Sequence, residues 1–210
     1  MITRTSAAER PKTKQPRTDR GRRTRQKLID AATAEFGEKG FHDASIIGIT
    51  GRAGTALGSF YTYFDSKDEI FRSLVQELSD AVKARAAIAL APKQSALEAE
   101  RSALAAFLEF ARDHKEIYRI IDEAEFVDPP SYREHYERTA QRIEERLADG
   151  IQSGDLRPNI GEIEAWAIMG TNVFLGLRFS IWGEGADHTE VSRAANAMLA
   201  KGIASDVDGV

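Results

Sequence analysis

Residues 51–71 read GRAGTALGSFYTYFDSKDEIF, and four of its side chains within five consecutive positions are aromatic. On an α-helix, Phe60 and Phe64 share one face, whereas Tyr61 lies about 100° away from it. We expect the two phenylalanines to build a small core and Tyr61 and Tyr63 to keep their hydroxyl groups outside it. The stretch therefore predicts a short helix with one buried face and one exposed polar face.

The sequence on either side of this stretch predicts three further helices. Before it, apolar residues at helical spacing predict a helix over Thr24–Gly40, and Ser45 is placed to cap a second, short helix that Gly54 ends. After it, Ser66 is placed to cap a long helix with an acidic first turn. The aromatic stretch supplies the helix between them, over 57–64. Two short helices joined by a tight turn and braced by longer helices make a helix-turn-helix.

Charge is distributed unevenly along the chain. The net charge is −4, but residues 1–67 carry +6 and residues 68–210 carry −10. A basic end on an acidic body favours a polyanion as the partner of that end alone. Residues 1–20 are rich in Lys, Arg, Thr and Pro, and we expect a disordered basic arm there. Lys67, at the start of a helix, is placed to bind phosphate.

The remainder of the chain is predicted to be helical, because no β alternation of useful length occurs. Residues 68–92 are expected to form a linking helix that Pro92 ends, and residues 93–205 a second domain. The helices expected in this domain are Ser95–Ile121, 131–153, Ile160–Trp182 and Thr189–Ala204. The predicted fold class is all-α, with an N-terminal three-helix helix-turn-helix DNA-binding domain over 21–67 and a C-terminal helical ligand-binding and dimerisation domain.

Composition and motifs exclude several classes of protein. The 210 residues include no cysteine, which removes disulfides and thiolate sites. There is no Gly-x-Ser-x-Gly elbow, no Gly-Lys-Ser/Thr phosphate loop and no His-x-x-x-His pair, so we expect neither an enzyme nor a cofactor. The N-terminus has no apolar leader segment, and the apolar run Trp166–Trp182 is too short to span a bilayer. We therefore expect a soluble, cytoplasmic protein.

Two alternatives remain open from the residues alone. His135 follows an acidic segment that contains Asp122, Glu123, Glu125 and Asp128, and such a set can hold a metal ion, although it also suits a solvated helix surface. We expect no metal there. The second alternative is a non-enzymatic helical adaptor that binds protein partners. An adaptor of this kind would bind without salt dependence and would leave the basic arm without a purpose.

The run RTRQKLIDAATAEFGEKGFHDASIIGITGRAGTALGSFYTYFDSKDEIFRSLV, residues 23–75, resembles the DNA-binding domain of the tetracycline-repressor (TetR/AcrR) family. The family's first helix ends in Phe-x-x-x-Gly-Phe/Tyr, here FGEKGF, and its third helix follows the pattern seen here in AGTALGSFYTYFDSKDEI. The resemblance implies a homodimeric transcriptional regulator, most often a repressor, that a small hydrophobic effector releases from a palindromic operator in double-stranded DNA. The position of the operator, rather than the protein, decides between repression and activation.

The resemblance also implies which residues contact DNA. The major groove is expected to meet Thr55, Ala56, Leu57, Gly58 and Ser59. Contacts to phosphates or the DNA backbone are expected from Tyr61, Tyr63, Lys67, Ser45 and Arg52. The arm arginines, Arg22 and Arg23 among them, either enter a minor groove or supply non-specific charge, and we favour the second. The chain departs from the family pattern at Ala56, where Ser or Thr usually caps the helix, and in having glycines at 48 and 51.

An effector pocket and a dimer interface are expected in the second half, where residues 153–182 resemble the family's segment before its dimer-forming helices. The pocket is expected to include Phe107, Phe110, Tyr118, Ile121, Phe126, Tyr136, Trp166, Met169, Asn172 and Val173. The dimer interface is expected to include Phe174, Arg178, Ile181, Trp182, Ala195, Met198 and Leu199. The acidic body favours a cationic lipophile, whereas Arg119, Arg133, Arg138 or Arg142 would receive a carboxylate or an acyl-CoA phosphate, and this choice stays open.

Overall fold

The computed structural model describes residues 14–90, 94–183 and 185–203, and these residues form nine α-helices. The bounds are α1 Asp19–Asp43, α2 Ile46–Ala53, α3 Leu57–Tyr63, α4 Lys67–Ala89, α5 Ala96–Asp113, α6 Glu116–Val127, α7 Pro129–Ser153, α8 Glu162–Gly176 and α9 His188–Ile203. Helix α8 continues through a π-helical turn over Leu177–Ile181. No residue in these ranges lies in a β-strand, and the predicted all-α fold class is confirmed.

The first helix is longer at both ends than its sequence pattern predicted. It begins at Asp19 because the Thr18 side chain accepts a hydrogen bond from the N–H of Gly21. It therefore takes in the end of the arm expected over 1–20, of which residues 1–13 lie outside the described residues. Gly40, the predicted end of the helix, interrupts it: its φ of +81° and ψ of 168° are not helical, and the residues from Phe41 to Asp43 follow the kink as a further short turn. Helix α4 ends before Pro92, which also lies outside the described residues.

One predicted helix is two in the structure. The apolar spacing over 95–121 indicated a single helix, but the chain breaks at His114, where φ is −133° and ψ is 61°. Neither Gly nor Pro marks this break, so the apolar spacing predicted one continuous helix across it. The predicted start of this helix is confirmed, because Ser95 and Glu98 form a capping box at the first turn of α5.

A first hydrophobic core is built from residues of α1, α2, α3, α4 and α6. Phe60 and Phe64 are fully buried and belong to the same cluster as Phe36, Ile49 and Ile70, as their spacing predicted. Burial of one such phenylalanine stabilises a fold by about 1.5–3 kcal/mol. We call α1 to α3 with the first turn of α4 the head, and α4 to α9 the body.

Helix α4 is the element that connects head and body. It packs against α1 in the head and against α5, α6 and α7 in the body. A second cluster, with Ile143, Leu147 and Ile168, joins α7, α8 and α9, and a third around Leu104 and Leu108 joins α5 to α9. Across the described ranges, no helix is both long enough and apolar enough to cross a membrane.

Candidate nucleic-acid interface and internal cavity

Helices α2 and α3 are joined by a turn of three residues. Ser45 caps α2, because its side chain accepts a hydrogen bond from an N–H of the first turn. Gly54 ends α2 with φ 62° and ψ 37°, a left-handed conformation that favours glycine. The Ser45 hydroxyl predicted to contact DNA therefore already caps the start of α2, although the residue is exposed.

The predicted major-groove residues lie at the start of α3, which we call the reading helix. Ala56 is its N-cap and provides no side-chain acceptor, a loss of about 1 kcal/mol relative to Ser or Thr. Thr55 does not replace it, since its buried Oγ1 has no hydrogen-bond partner. Leu57 and Gly58 are exposed and Ser59 is half-buried. The surface offers small and apolar groups, which suit methyl contacts better than bidentate hydrogen bonds to bases.

The two tyrosines of the reading helix differ in exposure. Tyr61 is 48% exposed, so its ring and hydroxyl are free to meet a phosphate. Tyr63 is only half-buried and packs against the head core. The predicted outward position of the hydroxyls thus holds clearly for Tyr61 and in part for Tyr63.

The described start of the arm lies beside the reading helix. Lys14 Nζ donates to the backbone carbonyl of Tyr61 over 3.1 Å and pairs with Asp65. Of the two arginines predicted to contact DNA, Arg22 pairs with Asp19, whereas Arg23 is exposed without an ion-pair partner in the part of the chain that is described. Lys14 of the arm therefore lies beside the reading helix, with its charge compensated by Asp65.

Lys67 was predicted to bind phosphate, and the structure gives it a different role. Its Nζ donates to three backbone carbonyls, those of Phe41 at 2.6 Å, Ala44 at 2.9 Å and His42 at 3.2 Å. The same ammonium lies 4.5 Å from the centre of the Phe41 ring. Since all three N–H donors are occupied, Lys67 closes the end of α1 onto the start of α4 instead of reaching DNA.

Arg52 was also predicted to contact DNA, but it is held by carboxylates. Its Nε lies 2.7 Å from Glu35 Oε2, and its other nitrogens bind Glu38. Glu35 is fully buried and also binds Lys39 Nζ at 2.7 Å. Burial acts to raise the pKa of Glu35, but hydrogen bonds from Lys39 and Arg52 outweigh it and lower that pKa. Arg52 therefore fastens α2 to α1.

The buried Glu35 also explains one of the unusual glycines in α2. A Cβ added at Gly48 would lie 2.0 Å from Glu35 Oε1, so only glycine leaves room for the carboxylate. A Cβ at Gly51 would meet nothing within 4 Å. The departure from the family pattern at 48 is thus tied to the charged contact between α1 and α2, whereas the one at 51 has no explanation in the packing.

An internal cavity of about 100 Å³ lies in the body between α4, α5, α6, α7 and α8. Seven of the ten predicted pocket residues line it, and these are Phe107, Tyr118, Ile121, Tyr136, Met169, Asn172 and Val173. The other lining residues are Val82, Lys83, Ala86, Ala103, Ile117, Asp122, His135, Thr139, Arg142, Ile143 and Arg146. Aliphatic and aromatic groups predominate, with polar groups contributed mainly by α7.

Three predicted pocket residues do not reach the cavity. Phe110 is buried in the cluster that includes the head core, Phe126 is 82% exposed, and Trp166 is 41% exposed. Helical spacing identified their apolar faces but not the element that each face meets. The polar residues Lys83, Thr139 and Arg146 were missed, because charged and hydroxyl side chains on long helices are read as solvated by default.

His135 forms a hydrogen bond to the linking helix. Ser79 donates its only hydroxyl proton to the carbonyl of Val75, so the Nδ1–H of His135 donates to Ser79 Oγ over 2.6 Å. Within the described ranges no group of three or more His, Asp or Glu side chains is placed to hold a metal ion. The alternative of a metal site at His135 and the acidic segment before it is therefore not formed by this fold.

Burial and the nearby Arg142 lower the pKa of His135 to about 4. An unfolded chain binds this proton with a pKa of about 6.5, so the contribution of neutral His135 to stability is complete above pH 6.5 and falls as the pH drops towards 4. Between pH 7 and pH 5 we expect His135→Asn to lose about 2 kcal/mol less of its free energy of unfolding than the wild type.

Urea denaturation at the two pH values measures this difference. Asparagine keeps an N–H for Ser79 Oγ, so the variant tests the proton and not the hydrogen bond. His42→Asn, at an exposed position, serves as the control and should keep the wild-type pH dependence. An unchanged pH dependence in His135→Asn would show that folding does not lower the pKa of His135.

Helices α8 and α9 leave an apolar surface uncovered. Phe174 is 71%, Trp182 69% and Met198 61% exposed. Together with Ile163 and Trp166 on α8 they form what we call the apolar stripe. Apolar side chains of this size are rarely left in contact with water in such numbers without a partner.

The other predicted dimer residues are divided between surface and interior. Arg178 is exposed, and Ile181 and Leu199 are half-buried. Ala195 is 9% exposed and packs with Leu104 and Leu108 inside the chain, so it is not available to a partner. Its small size suits a helix contact within the monomer as well as between monomers, and the sequence does not separate the two.

Helix α6 touches both the cavity and the head. Its Tyr118 lines the cavity and donates to the carbonyl of Val173 on α8 over 2.7 Å. One residue later, Arg119 donates to the carbonyls of Gly37 at 3.1 Å and Glu38 at 3.0 Å, near the end of α1. A shift of α6 at the cavity would therefore be transmitted to α1 through the hydrogen bonds of Arg119.

Comparison with known proteins agrees with this architecture. The sequence profile described as "Bacterial regulatory proteins, tetR family" matches residues 28–74. The uncharacterized HTH-type transcriptional regulator YhgD of Bacillus subtilis is 28% identical over 150 residues, which cover 69% of this chain and 78% of YhgD. The HTH-type transcriptional activator FasR of Mycolicibacterium smegmatis is 30% identical over 106 residues, 50% of this chain and 48% of FasR. Several other relatives are matched over 33% of their length.

Solved structures share the fold over almost the whole body as well as the head. The transcriptional regulator FadR from Bacillus subtilis, in complex with stearoyl-CoA, has a TM-score of 0.75 and 21% identity, with 84% of this chain and 98% of FadR covered. At this identity the likeness shows the fold alone.

A helix-turn-helix head on a helical body with an internal cavity is the architecture of a ligand-responsive DNA-binding regulator, and the relatives are named as HTH-type transcriptional regulators. The chain is a DNA-binding transcriptional regulator, and its residues 28–74 match the TetR family of bacterial regulatory proteins. Proteins of that family are transcription factors and not enzymes.

Proposed function

We propose that the chain is a homodimeric repressor whose reading helices occupy a palindromic operator and whose cavity takes a small hydrophobic effector that releases the DNA. The observation that carries this proposal is helix α4. Its first turn is joined to the head through Lys67, and further along it lines the cavity at Val82, Lys83 and Ala86. One rigid helix thus spans the exposed reading surface and the ligand space.

Dimerisation follows from the apolar stripe. Two copies of α8 and α9 that face each other across a two-fold axis would bury Phe174, Trp182 and Met198 in a four-helix interface. Such a dimer would carry two heads, and two heads match the two half-sites of a palindrome. Within each head we propose that Leu57 and Gly58 face the major groove and that Tyr61 contacts phosphate.

The effector is proposed to be apolar because the cavity walls are mainly apolar. FadR from Bacillus subtilis, which shares the fold, is described with stearoyl-CoA, a molecule with a long hydrocarbon chain. The cavity here, about 100 Å³, is small compared with the roughly 300–1,000 Å³ of typical ligand pockets. An effector with a chain of moderate length therefore fits better than a large one, unless the helices separate.

Release of DNA is proposed to proceed through α4 and α6. A ligand that separates the cavity walls displaces Val82 on α4 and Tyr118 on α6, and both helices are bonded to the end of α1. The spacing of the two heads then no longer matches the operator. An effect of about 5- to 150-fold on operator affinity needs only about 1–3 kcal/mol of coupling.

Whether bound protein represses or activates depends on where the operator lies, and FasR shows by its name that relatives include an activator. We favour repression because steric exclusion of polymerase needs no further contact surface. The cytoplasm is the proposed location, since the bacterial chromosome lies there.

Fluorescence anisotropy with DNA fragments from the region flanking the protein's own gene tests the proposal. We expect one palindromic fragment to bind two chains, far more tightly than scrambled DNA, with affinity that falls steeply as salt is raised. Decanoate or another amphiphile of similar length should then release the fragment. Equal, salt-independent binding to all fragments would contradict the proposed operator recognition, and a stoichiometry of one chain would contradict the dimer.

A further inference from the structure

The cavity holds two guanidinium groups that differ in how their charge is compensated. Arg146 binds Glu100 with two nitrogens, Nε to Oε1 at 2.5 Å and Nη2 to Oε2 at 3.0 Å. Glu100 is buried, so this ion pair is part of the packing between α5 and α7. Arg146 therefore has a full counter-charge and is not free to bind a ligand.

Arg142, one turn earlier on α7, has no such partner. Its Nη2 donates to the neutral Thr139 Oγ1 over 2.9 Å, and no carboxylate of the described chain lies within ion-pair distance of it. The side chain is half-buried on the cavity wall. Burial lowers the pKa of Arg142 and the adjacent Arg146 lowers it further, whereas the carboxylates of Asp80 and Glu145, beyond ion-pair distance, offset this only in part.

A second cation borders the same cavity. Lys83 reaches it from α4, is exposed, and makes no ion pair within the described ranges. Arg142 on α7 and Lys83 on α4 therefore place two positive charges beside an apolar space, the first half-buried without an ion pair and the second exposed to water. A partly buried guanidinium without an anion is unfavourable, and an anionic ligand group would relieve it.

Asp122 is the carboxylate that lines the cavity, and it argues less strongly for a cationic ligand. Burial raises its pKa and the nearby Glu125 raises it further. It is an exposed residue of α6, so water already solvates it in part. The group that lacks a counter-charge at the cavity is therefore the cation Arg142, which an anionic ligand group would complement.

We propose that the effector is a carboxylate-bearing amphiphile whose head group binds Arg142, with Lys83 as the second contact, and whose hydrocarbon tail lies among Phe107, Ile121 and Val173. This proposal rests on the proposed function, since it names the chemistry of the ligand in the same cavity. A guanidinium binds a carboxylate through two parallel hydrogen bonds, which fixes the orientation of the head group. The carboxylate would join α7 to α4, the helix that leads to the head.

Isothermal titration calorimetry with four ligands of equal chain length tests the head group. The ligands are decanoate, decan-1-ol, decylamine and decanoyl-CoA, each titrated into the full chain at neutral pH. A charge-assisted hydrogen-bond pair predicts that decanoate binds about 10- to 100-fold more tightly than decan-1-ol. Arg142→Gln should remove this difference and leave the affinity for decan-1-ol unchanged, whereas Arg142→Lys should keep part of it.

Arg138→Gln is the matched control. Arg138 lies one turn before Arg142 on α7 but pairs with Glu134 and does not line the cavity, so its variant should bind all four ligands as the wild type does. Thermal unfolding followed by circular dichroism confirms that each variant is folded before titration.

The possible results separate this proposal from the proposed function. Equal affinities for decanoate and decan-1-ol would overturn the anionic head group while the apolar effector cavity stands. Tightest binding of decylamine would assign the head-group contact to Asp122. Binding of decanoyl-CoA without decanoate would assign the anion to the phosphates of CoA. If none of the four ligands binds, the effector cavity itself is wrong.

Discussion

Gly58→Asp is expected to weaken binding to the operator by at least about 100-fold, because it places a carboxylate in the negatively charged major groove on each of the two proposed heads. The substitution should not destabilise the fold. A Cβ at this position meets no atom within 4 Å, and Gly58 lies in the first turn of the reading helix, where a carboxylate interacts favourably with the helix dipole. Loss of binding with an unchanged melting temperature would identify the reading helix as the DNA contact.

Gly58→Ala is the control for this prediction. It adds the same Cβ without the charge, so its operator affinity should stay within about tenfold of the wild type, since a methyl group alone changes such a contact by about 1 kcal/mol. Both variants are measured by fluorescence anisotropy at one salt concentration, because the affinity of DNA contacts depends on salt. Wild-type binding by Gly58→Asp would place the DNA elsewhere on the head.

The second large effect is expected at Glu35, the buried carboxylate between α1 and α2. Glu35→Ala leaves Arg52 and Lys39 without their shared partner and should lower the free energy of unfolding by about 3 kcal/mol. The loss should appear in urea denaturation at neutral pH. Because the pKa of Glu35 is lowered in the folded state, the stabilisation by its charge is complete above its ordinary pKa and is lost as the pH falls below it.

Gly48→Ala combined with Glu35→Ala gives this prediction a sharper form. In the wild type the added Cβ would lie 2.0 Å from Glu35 Oε1, so we expect Gly48→Ala to cost about 1–3 kcal/mol. In the Glu35→Ala background that space is empty, and alanine should stabilise α2 by up to about 1 kcal/mol relative to glycine. Gly48→Ala is thus expected to destabilise the wild type and to stabilise the Glu35→Ala variant.

Gly51→Ala is the matched control in the same helix. Its Cβ meets nothing within 4 Å, so it should be mildly stabilising in both backgrounds. If the effects of Gly48→Ala and Glu35→Ala simply add to within about 0.5 kcal/mol, the carboxylate does not occupy the space beside Gly48.

The head was predictable because its determinants are local. Phe60 and Phe64 lie one turn apart, Ser45 and Ser66 precede the helices they cap, and Gly54 sits in the turn it permits. Each of these signals involves residues within a few positions of each other. Helical periodicity and capping rules are sufficient for such elements.

The partners of charged residues were not predictable, because they are distant in sequence. Lys67 binds the carbonyl of Phe41, and Arg52 binds Glu35, over separations of 26 and 17 residues. A sequence shows that a cation is present but not whether a carbonyl or carboxylate of another helix already occupies it. Both residues were therefore predicted to contact the DNA backbone, because a cation without a partner in the protein would bind a phosphate there.

The effector cavity was predictable only in outline. Apolar faces of α5, α6, α7 and α8 could be read from their spacing, and most of the residues on them do line the cavity. Phe126 shows where this fails, since an aromatic residue at helical spacing can also face solvent. Conversely, the polar residues Lys83 and Thr139 line the cavity although they were not predicted to do so. Their position depends on which helices pack together, and the sequence does not show this.

Gly176 carries a consequence for how regulators of this kind diversify. A Cβ there would lie 2.1 Å from Tyr118 Oη and 2.8 Å from Phe107 Cε1, two rings that line the cavity, although Gly176 itself does not. The missing methyl group lets both rings retreat and so determines the depth of the ligand space from outside it. A single codon change at 176 would therefore reduce the cavity without altering any of the residues that line it.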